Sequence, residues 1–500
     1  MKITYISNSC LVIEHGTVCL VIDPWFMGSA YMGHWHLFPK PVDLSILDRV
    51  THLIATHGHE DHLHPESTQR LRKDIPLLYP YLWYESVVPF ATQLGFSDIQ
   101  EVRSGKTLQL SKDVKVCFYT IGLDSIVVVQ CGEEVLVNLN DALSTHDMGP
   151  VKHFAQLIAK KWPTINYLFC GHGGAGTFPN LVHHPAKNDI EIGAVREQLL
   201  SHRFCEMMEI FQPQYALPSV AGFVLLKNEH RWINEVRFPR EQLQTYARKY
   251  VNPQSKINYL VTYPGDVIEQ GAIVHSSPYH DLKDEQHSLT HLIDQTFTAE
   301  IEQANRQPKC SEQDLRTYIE LLSHWLPKRA SFMKGIAGGY SFDIHPANSN
   351  QLIQVNVDVA GDLRIAVESV GNPNAWLTVH ASIDALLWSL QHTWGGDVLT
   401  IGYGCEVYIH KEEAVEYNLD IVVFSLLTRY PTAKSNIKRS PIRSLNYYLQ
   451  NQHLAHLLIQ KKLTQGKLSK HNARSHWINR TKCEVCRICD IPLLENQELA

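Results

Sequence analysis

A short run of metal-binding side chains is the part of this sequence best suited to chemistry. It reads His-Gly-His-Glu-Asp-His and contains four ligands in close succession: His57, His59, Asp61 and His62. The apolar residues 50–55 before it predict a buried strand, and residues 63–67 predict a helix start. A loop that ends a strand can aim imidazoles and a carboxylate at one point, as a metal ion requires. The alternative is a histidine-rich surface turn in a chain with 28 histidines; the spacing favours a metal site.

Other acids and histidines lie beside strand-like segments further along the chain. Asp23 and Asp141 each follow such a segment, Asp124 precedes one, and His172 and His183 come after a third. Each alone would be an ordinary turn residue, but together with the first run they indicate a two-metal centre. For Asp23 two interpretations stay open, since its carboxylate either orients a ligating histidine or caps a turn.

The elements that must position these residues alternate in type. Short strand-like runs dominate residues 1–140, and helical patterns occur over residues 66–71, 153–161 and 192–212. Strands interleaved with helices predict a layered α/β domain over residues 1–250. Residues 300–432 mix both patterns and predict a smaller α+β domain, followed by a basic helical tail over residues 433–500.

The overall composition is that of an ordinary globular protein, with 44% hydrophobic and 19% charged residues. No apolar stretch approaches the roughly 18 residues of a membrane span, and the first residues predict a strand rather than a signal peptide. Eight of the eleven cysteines stand singly, several of them in strand-like runs, which favours free buried thiols. We therefore expect a cytoplasmic protein.

The net charge of −6 conceals an asymmetry. The segment from Lys434 to Lys482 contains eleven Lys and Arg and no acidic residue, whereas residues 1–433 carry a net charge of −14. Such a segment suits an anionic partner, or it packs on the acidic body of the protein. Because few aromatic residues lie within it, base stacking is poorly supported, and we do not expect a nucleic-acid partner.

The sequence resembles proteins of the metallo-β-lactamase fold. The resemblance lies in the order of Asp23, the run His57–His62 and Asp141 along the chain. The resemblance covers about residues 1–250. It implies two β-sheets packed face to face between outer helices, an αββα sandwich with the metals at one edge.

A narrower resemblance is to the CMP-sialic acid hydroxylase family. It rests on Leu123-Asp124-Ser125, residues 137–141, the glycine-rich residues 173–179, residues 217–223 and, less specifically, residues 386–402. That family also carries a Rieske iron–sulfur domain with a Cys-x-His and Cys-x-x-His pair. No such pair occurs here, so the resemblance supports neither a sialic-acid substrate nor a built-in electron source, and an external electron-donor protein is expected.

The resemblance also implies a ligand set. Zinc hydrolases of this fold complete the first metal site with a third histidine, but Asp124 is the candidate in that place here. His57, His59 and Asp124 would form a two-histidine, one-carboxylate face, which suits non-haem iron(II). Asp61 and His62 would hold the second metal, which His172 or His183 would complete. Asp141 would bridge the two, and the catalytic acids would be Asp61 and Asp141.

We therefore predict a centre of two divalent metals, with iron favoured over zinc. Such a centre would belong to an oxygenase that hydroxylates a small, anionic substrate. The first alternative is a two-metal zinc hydrolase of an ester, lactone or phosphodiester, in which Asp61 orients a hydroxide. The second is a binding scaffold with a degenerate site.

A separate cysteine motif lies near the C-terminus, at Cys483, Cys486 and Cys489. Three thiolates at this spacing can hold zinc or part of an iron–sulfur cluster, but a fourth ligand is needed. His476 is the nearest candidate, and a tail with free thiols is the alternative.

Overall fold

The computed structural model describes residues 1–454, apart from 145–147, 220–221, 285–287, 307–309, 330–338, 359–361, 417–425 and 432. The described strands are β1 (Lys2–Ser7), β2 (Cys10–His15), β3 (Val18–Ile22), β4 (Ser29–Ala30), β5 (Trp35–Leu37), β6 (His52–Ile54), β7 (Leu77–Pro80), β8 (Ile99–Val102), β9 (Thr107–Gln109), β10 (Val114–Ile121), β11 (Asp124–Cys131), β12 (Glu134–Asn140), β13 (Tyr167–Gly171), β14 (Val182–His183), β15 (Tyr215–Ser219), β16 (Phe223–Val224), β17 (Asn258–Tyr259), β18 (Val267–Glu269), β19 (Ala272–His275), β20 (Tyr340–Pro346), β21 (Leu352–Val357), β22 (Leu363–Glu368), β23 (Leu377–Ala381) and β24 (Cys405–Ile409).

The described α-helices are α1 (Pro65–Arg70), α2 (Val87–Gln93), α3 (Met148–Ala159), α4 (Asp189–Phe211), α5 (Trp232–Glu235), α6 (Leu243–Tyr250), α7 (Tyr279–Asp284), α8 (Leu289–Thr296), α9 (Thr298–Ala304), α10 (Glu312–Arg329), α11 (Ile383–Gln391), α12 (Asp397–Thr400) and α13 (Glu412–Glu416), followed by Ala433–Arg439 and Pro441–Gln450. Short 3₁₀ helices span Ser45–Arg49, Asn228–His230, Arg240–Gln242 and Gln452–Leu454.

Two sheets form a sandwich with buried residues on both faces. The first sheet has the order β19-β18-β1-β2-β3-β6-β7-β8, and the second has β17-β15-β13-β12-β11-β10-β9. Because side chains alternate along a strand, Val116 and Phe118 of β10 pack between the sheets, while Cys117 and Tyr119 face the outer helices.

Helices cover both outer faces of the sandwich. Phe154 of α3, Phe204 of α4 and Tyr246 of α6 pack on the second sheet. Ala91 of α2 and Leu47 of the first 3₁₀ helix pack on the first. This layer order confirms the layered α/β domain predicted from the residue patterns and the αββα sandwich that the family resemblance implied.

A third sheet, of order β14-β24-β23-β20-β21-β22, forms the accessory domain with α10 and α11 packed on it. A small sheet of β16, β5 and β4 joins this domain to the sandwich, where Trp35 stacks on Phe223 with ring centroids 3.6 Å apart. The domain limits at 250 and 300 stay predictions, but sheets extend across them: β18 and β19 belong to the first sheet, and β14 belongs to the third.

The beginning of the basic tail packs on the acidic sandwich. In the helix Pro441–Gln450, Arg443 donates to the carbonyl of Leu82 and pairs with Glu85 and Glu101.

The cysteine motif at 483–489 lies outside the described residues. All the cysteines that the structure describes are free thiols. Each of them is buried except Cys310, which is partly exposed. No helix in the described part of the chain is long and apolar enough to cross a membrane.

Candidate metal centre

The strand order brings the predicted ligands to one edge of the sandwich. β3 and β6 are parallel neighbours, so Asp23 and the loop that starts at His57 follow adjacent strand ends. In the second sheet, β11 runs antiparallel to β12, which places Asp124 at the start of one strand beside Asp141 at the end of the other. Functional residues concentrate at such strand ends because the backbone there is free to turn toward a ligand.

His57, His62 and Asp141 form a compact group, with one ligand atom of each within 4.8 Å of the others. An Asp141 carboxylate oxygen lies 3.2 Å from His62 Nε2 and 3.9 Å from His57 Nε2. The remaining members of the first motif are adjacent: His59 Nδ1 lies 2.8 Å from His57 Nε2, and Asp61 Oδ2 lies 3.2 Å from His62 Nε2. The structure thus brings five predicted ligands together.

Asp23 orients the two buried histidines. Its carboxylate accepts hydrogen bonds from the backbone amide of Thr56 (2.8 Å), the Thr56 hydroxyl (2.7 Å) and His62 Nδ1 (3.0 Å). It also accepts one from the side-chain amide of Asn140. Since the Thr56 hydroxyl donates to Asp23, it accepts from His57 Nδ1, 3.0 Å away. The Nδ1 proton of each ring is therefore fixed, and Nε2 is the atom of each ring that faces the site and would ligate a metal in its deprotonated form. The orienting role is the interpretation of Asp23 that this geometry supports.

The charges of the group favour a bound cation. Burial lowers the pKa of His57 well below its usual value and so keeps this ligand neutral. Burial also opposes protonation of His62, but the surrounding carboxylates Asp61, Asp141 and Asp23 outweigh it and raise the pKa of His62 well above normal. His62 Nε2 is buried and lacks a hydrogen-bond partner of acceptable geometry in the described residues. A metal ion would satisfy both the carboxylates and this nitrogen, so the residues of this group fit a bound metal ion.

Asp124 belongs to the same electrostatic group. Burial raises the pKa of its carboxyl to about 6, with His59 and His62 opposing and Asp141 adding to the rise. In contrast, the pKa of Asp61 is lowered to about 2, because the positive charge of His62, whose Nε2 lies 3.2 Å away, and the hydrogen bond from Tyr31 outweigh the effect of burial. The two acids thus differ in environment: Asp61 is fully ionised, and Asp124 becomes so only near neutral pH.

The structure does not bring His172 or His183 to this group. His172 Nδ1 hydrogen-bonds the carbonyl of Ser219 (2.8 Å), and burial, followed by the charge of Arg240, lowers the pKa of His172 to about 3. His183 lies on β14 in the accessory sheet, where its Nδ1 is 2.7 Å from Asp189 and its Nε2 is 3.7 Å from Glu406. Their roles as ligands stay predictions without support from the observed geometry.

Several residues at the site were not identified from the sequence. The Tyr31 hydroxyl donates to Asp61 Oδ1 at 2.6 Å. Asp397 of the accessory domain is only 8% exposed and accepts from the Tyr430 hydroxyl at 2.7 Å, and its charge acts on His59 and Asp61. Asn140 carries a sequence signal, since it and Asn138 are buried amides at the end of a strand whose preceding residues 135–137 are apolar. Tyr31 and Asp397 carry none, because only the tertiary fold brings them to the site.

A cavity of about 1020 Å³ lies at the junction of the sandwich and the accessory domain. Met32 and His34, which follow Tyr31, line it together with Glu406 and Tyr408 of β24. His57, His62 and Asp141 do not line it. The cavity is thus separate from the metal-binding group.

No family model matches the chain. Among curated proteins it is similar to cytidine monophosphate-N-acetylneuraminic acid hydroxylases. Identity to the protein of Mus musculus is 24% over 295 residues, which cover 55% of this chain and 48% of that protein. For the protein of Xenopus laevis, identity is 22% over 295 residues, with 55% and 46% covered. The chain spans about half the length of these curated relatives.

Among solved structures, the chain is similar to a mutant of CmlA beta-hydroxylase, with a TM-score of 0.37, 16% identity, and 54% of this chain and 53% of that chain covered. An isothiocyanate hydrolase from Delia radicum gut bacteria has a TM-score of 0.38 and 15% identity, with 54% and 100% covered. The solved structures similar to this chain thus include a hydroxylase and a hydrolase.

Proposed function

We propose that this protein is a metal-dependent oxygenase that uses a dinuclear iron centre to hydroxylate a small, anionic substrate. The observation that carries the proposal is the position of the Asp124 carboxylate, which interacts electrostatically with His59 and Asp141 at the sheet edge, where a zinc hydrolase would be expected to have a third histidine. Two histidines and one carboxylate on one face are typical of non-haem iron sites that leave positions open for dioxygen.

Each ligand has a role in this proposal. His57, His59 and Asp124 would hold the first iron, Asp61 and His62 would hold the second, and Asp141 would serve both. When bound, the irons would supply the activation of dioxygen, in which one oxygen atom is inserted into a substrate C–H bond and the other is reduced to water. The two electrons would come from an external electron-donor protein and the two protons from solvent. Asp23 keeps the histidines oriented throughout, since its hydrogen bonds to Thr56 and His62 fix both rings.

An anionic substrate is supported by the names of the curated relatives, which are hydroxylases of a nucleotide-linked sugar acid. It is also supported by the positive charge of the tail. The described start of that tail packs close to the Asp124 hairpin, since Tyr447 of the helix Pro441–Gln450 donates to the Gly122 carbonyl at 3.3 Å.

A two-metal zinc hydrolase is the second candidate. It is favoured by Asp61, an ionised carboxylate 3.2 Å from His62 Nε2 that would orient a metal-bound hydroxide toward the substrate. The substrate would then be an ester, lactone or phosphodiester, and no electron donor would be needed.

Metal content and oxygen consumption decide between the two. We expect protein purified without oxygen to hold about two irons and to consume dioxygen when given a reductant. Two zincs together with no oxygen-dependent turnover would overturn the oxygenase proposal in favour of the hydrolase.

Asp124→His tests the carrying observation directly. In an iron oxygenase, this change should lower iron occupancy and abolish oxygen consumption, whereas a zinc hydrolase should keep its zinc and its activity, because a third histidine completes a typical zinc site. Asp124→Asn is the matched control, since it removes the charge but keeps the size of the side chain.

A further inference from the structure

Asp61 has two carboxylate oxygens with different partners. Oδ2 lies 3.2 Å from His62 Nε2 on the metal side, and Oδ1 accepts a hydrogen bond of 2.6 Å from the Tyr31 hydroxyl. A carboxylate that binds a metal through one oxygen is free to rotate unless the other oxygen is held. The Tyr31 hydroxyl is the group that holds it here.

Tyr31 is itself fixed by its surroundings. It is 1% exposed, its backbone φ of 54° is in the left-handed region, and its amide donates to the Glu60 carboxylate at 2.9 Å. Its ring packs edge-on against Trp35, with centroids 4.8 Å apart. A bulky residue persists in the left-handed conformation only when its neighbours determine it, and such positions concentrate at functional sites.

The accessory domain supplies the last of these neighbours. A turn that runs from Asp397 to Gly402 closes with a hydrogen bond of 2.8 Å between the Gly402 amide and the Asp397 carbonyl. A Cβ on Gly402 would lie 2.6 Å from Tyr31 Cβ and 2.8 Å from the Val398 carbonyl oxygen. Neither neighbour is the end of a flexible chain, so only glycine lets the turn reach Tyr31.

We propose that Tyr31 is a positioning residue for Asp61 and that the accessory-domain turn Asp397–Gly402 keeps it in place. The accessory domain therefore acts on the metal centre through the sequence of contacts Gly402, Tyr31 and Asp61. This inference rests on the proposed metal centre, because it assigns to Asp61 the role of a ligand.

Co²⁺ titration of the full chain tests the inference, with visible absorption as the signal from the bound ion. Hydrogen-bond partners of metal ligands typically contribute about 10- to 100-fold to metal affinity. We expect Tyr31→Phe, which removes only the hydroxyl, to weaken one of two Co²⁺ sites by about 10- to 100-fold and to shift its absorption bands. Gly402→Ala should act in the same direction, and the double variant should be no weaker than the weaker single variant, because both act on one contact.

Tyr318→Phe is the matched control. Tyr318 is a buried tyrosine of the accessory domain whose hydroxyl has no hydrogen-bond partner among the described residues, and its loss should leave both sites unchanged. If wild type binds two Co²⁺ ions and Tyr31→Phe matches it in affinity and spectrum, the inference is wrong while the metal centre stands. If wild type binds fewer than two, the proposed centre itself is wrong. Should Gly402→Ala fail to fold, Tyr31→Phe alone decides.

Discussion

The two sheets of the sandwich contribute unequal halves to the candidate site. The first sheet supplies the histidine half, His57 to His62, whose rings are oriented by hydrogen bonds to Thr56 and Asp23. The second sheet supplies the carboxylate half, Asp124 and Asp141. The turn at Asp141 is closed through its backbone carbonyl, which accepts from the Ser144 hydroxyl at 2.9 Å, while its side chain is 37% exposed and faces the two histidines.

This difference indicates how the site is assembled. The histidine half is ordered by hydrogen bonds that need no metal, so its geometry belongs to the fold. The carboxylate half adds the charge of Asp141 to that of Asp61 and Asp23 around His62, and this negative charge is balanced only by a proton or a cation. We infer that the first half contributes stability as well as binding, whereas the second half contributes binding and the choice of metal.

The largest expected effect comes from Asp141→Asn, in the carboxylate half. Loss of the carboxylate between the two metals should reduce the binding stoichiometry from two to one and abolish activity. The unfolding free energy of the metal-free protein should change by only about 0.5 kcal/mol, because the side chain is partly exposed and the backbone hydrogen bonds of the turn remain. Metal titration and chemical denaturation measure the two quantities. A large loss of stability in the metal-free protein would contradict the proposed division between the halves.

Asp23→Asn, in the histidine half, should show the opposite balance. Asparagine tolerates the left-handed backbone at this position, where φ is 49°. However, a single amide oxygen cannot accept all the hydrogen bonds that reach the carboxylate. We expect a loss of about 2–3 kcal/mol in unfolding free energy, as for hydrogen bonds to a buried charged group, together with an about 10- to 100-fold weaker metal affinity.

The comparison of Asp23→Asn with Asp141→Asn, in the same denaturation and titration experiments, is the control. If the two variants lose the same free energy of unfolding, the histidine half contributes no more to the stability of the fold than the carboxylate half does.

Proton release on metal binding should sharpen the comparison further. The pKa of Asp124 is raised from 3.8 to about 6 in the folded protein. Between roughly these two values the folded metal-free state binds more protons than the unfolded state, so the contribution of Asp124 to stability falls as pH rises through this range. A metal requires the ionised carboxylate and must displace that proton.

We therefore expect wild type at about pH 5.5 to release up to about one more proton per bound metal pair than Asp124→Asn, with the difference vanishing near about pH 7.5. Calorimetric titration in two buffers of different ionisation enthalpy measures this number. The proton on His62 is released by both proteins and so cancels in the comparison. Equal release at the lower pH would show that Asp124 is already ionised there.

The same division into a histidine half and a carboxylate half describes how much of the site could be predicted from the sequence. The histidine half is local: its ligands lie within one loop after one strand, and periodicity predicted that strand. Asp141 could also be predicted, since a carboxylate after an apolar strand lies at the sheet edge. His172 satisfied the same rule, but the rule fixes only the edge and not the direction of the side chain, which here faces Ser219 of the neighbouring strand.

The fold was predicted at the level of layers because alternation and helical periodicity are local signals. The contributions of distant segments were not predictable: β14 leaves the sandwich and pairs with β24, which takes His183 into the accessory sheet. Similarly, Gly402 reaches Tyr31 from a segment far along the chain. Contacts of this kind depend on the packing of two domains, which no local pattern records.

The smallest expected effect concerns the support of the carboxylate half by the C-terminal helix. The Tyr447 hydroxyl donates to the carbonyl of Gly122, in the turn that precedes Asp124, at 3.3 Å. Because this hydrogen bond is long and neutral, Tyr447→Phe should lower the unfolding free energy by only about 0.5–1 kcal/mol and should weaken metal binding by no more than a few-fold. The neighbouring Tyr448→Phe is the matched control, since Tyr448 is 54% exposed. An effect of Tyr447→Phe as large as that of Asp23→Asn would mean that hydrogen bonds from the tail hold the Asp124 turn as firmly as Asp23 holds the histidines. The two halves would then differ in which segment supports them rather than in how firmly they are held.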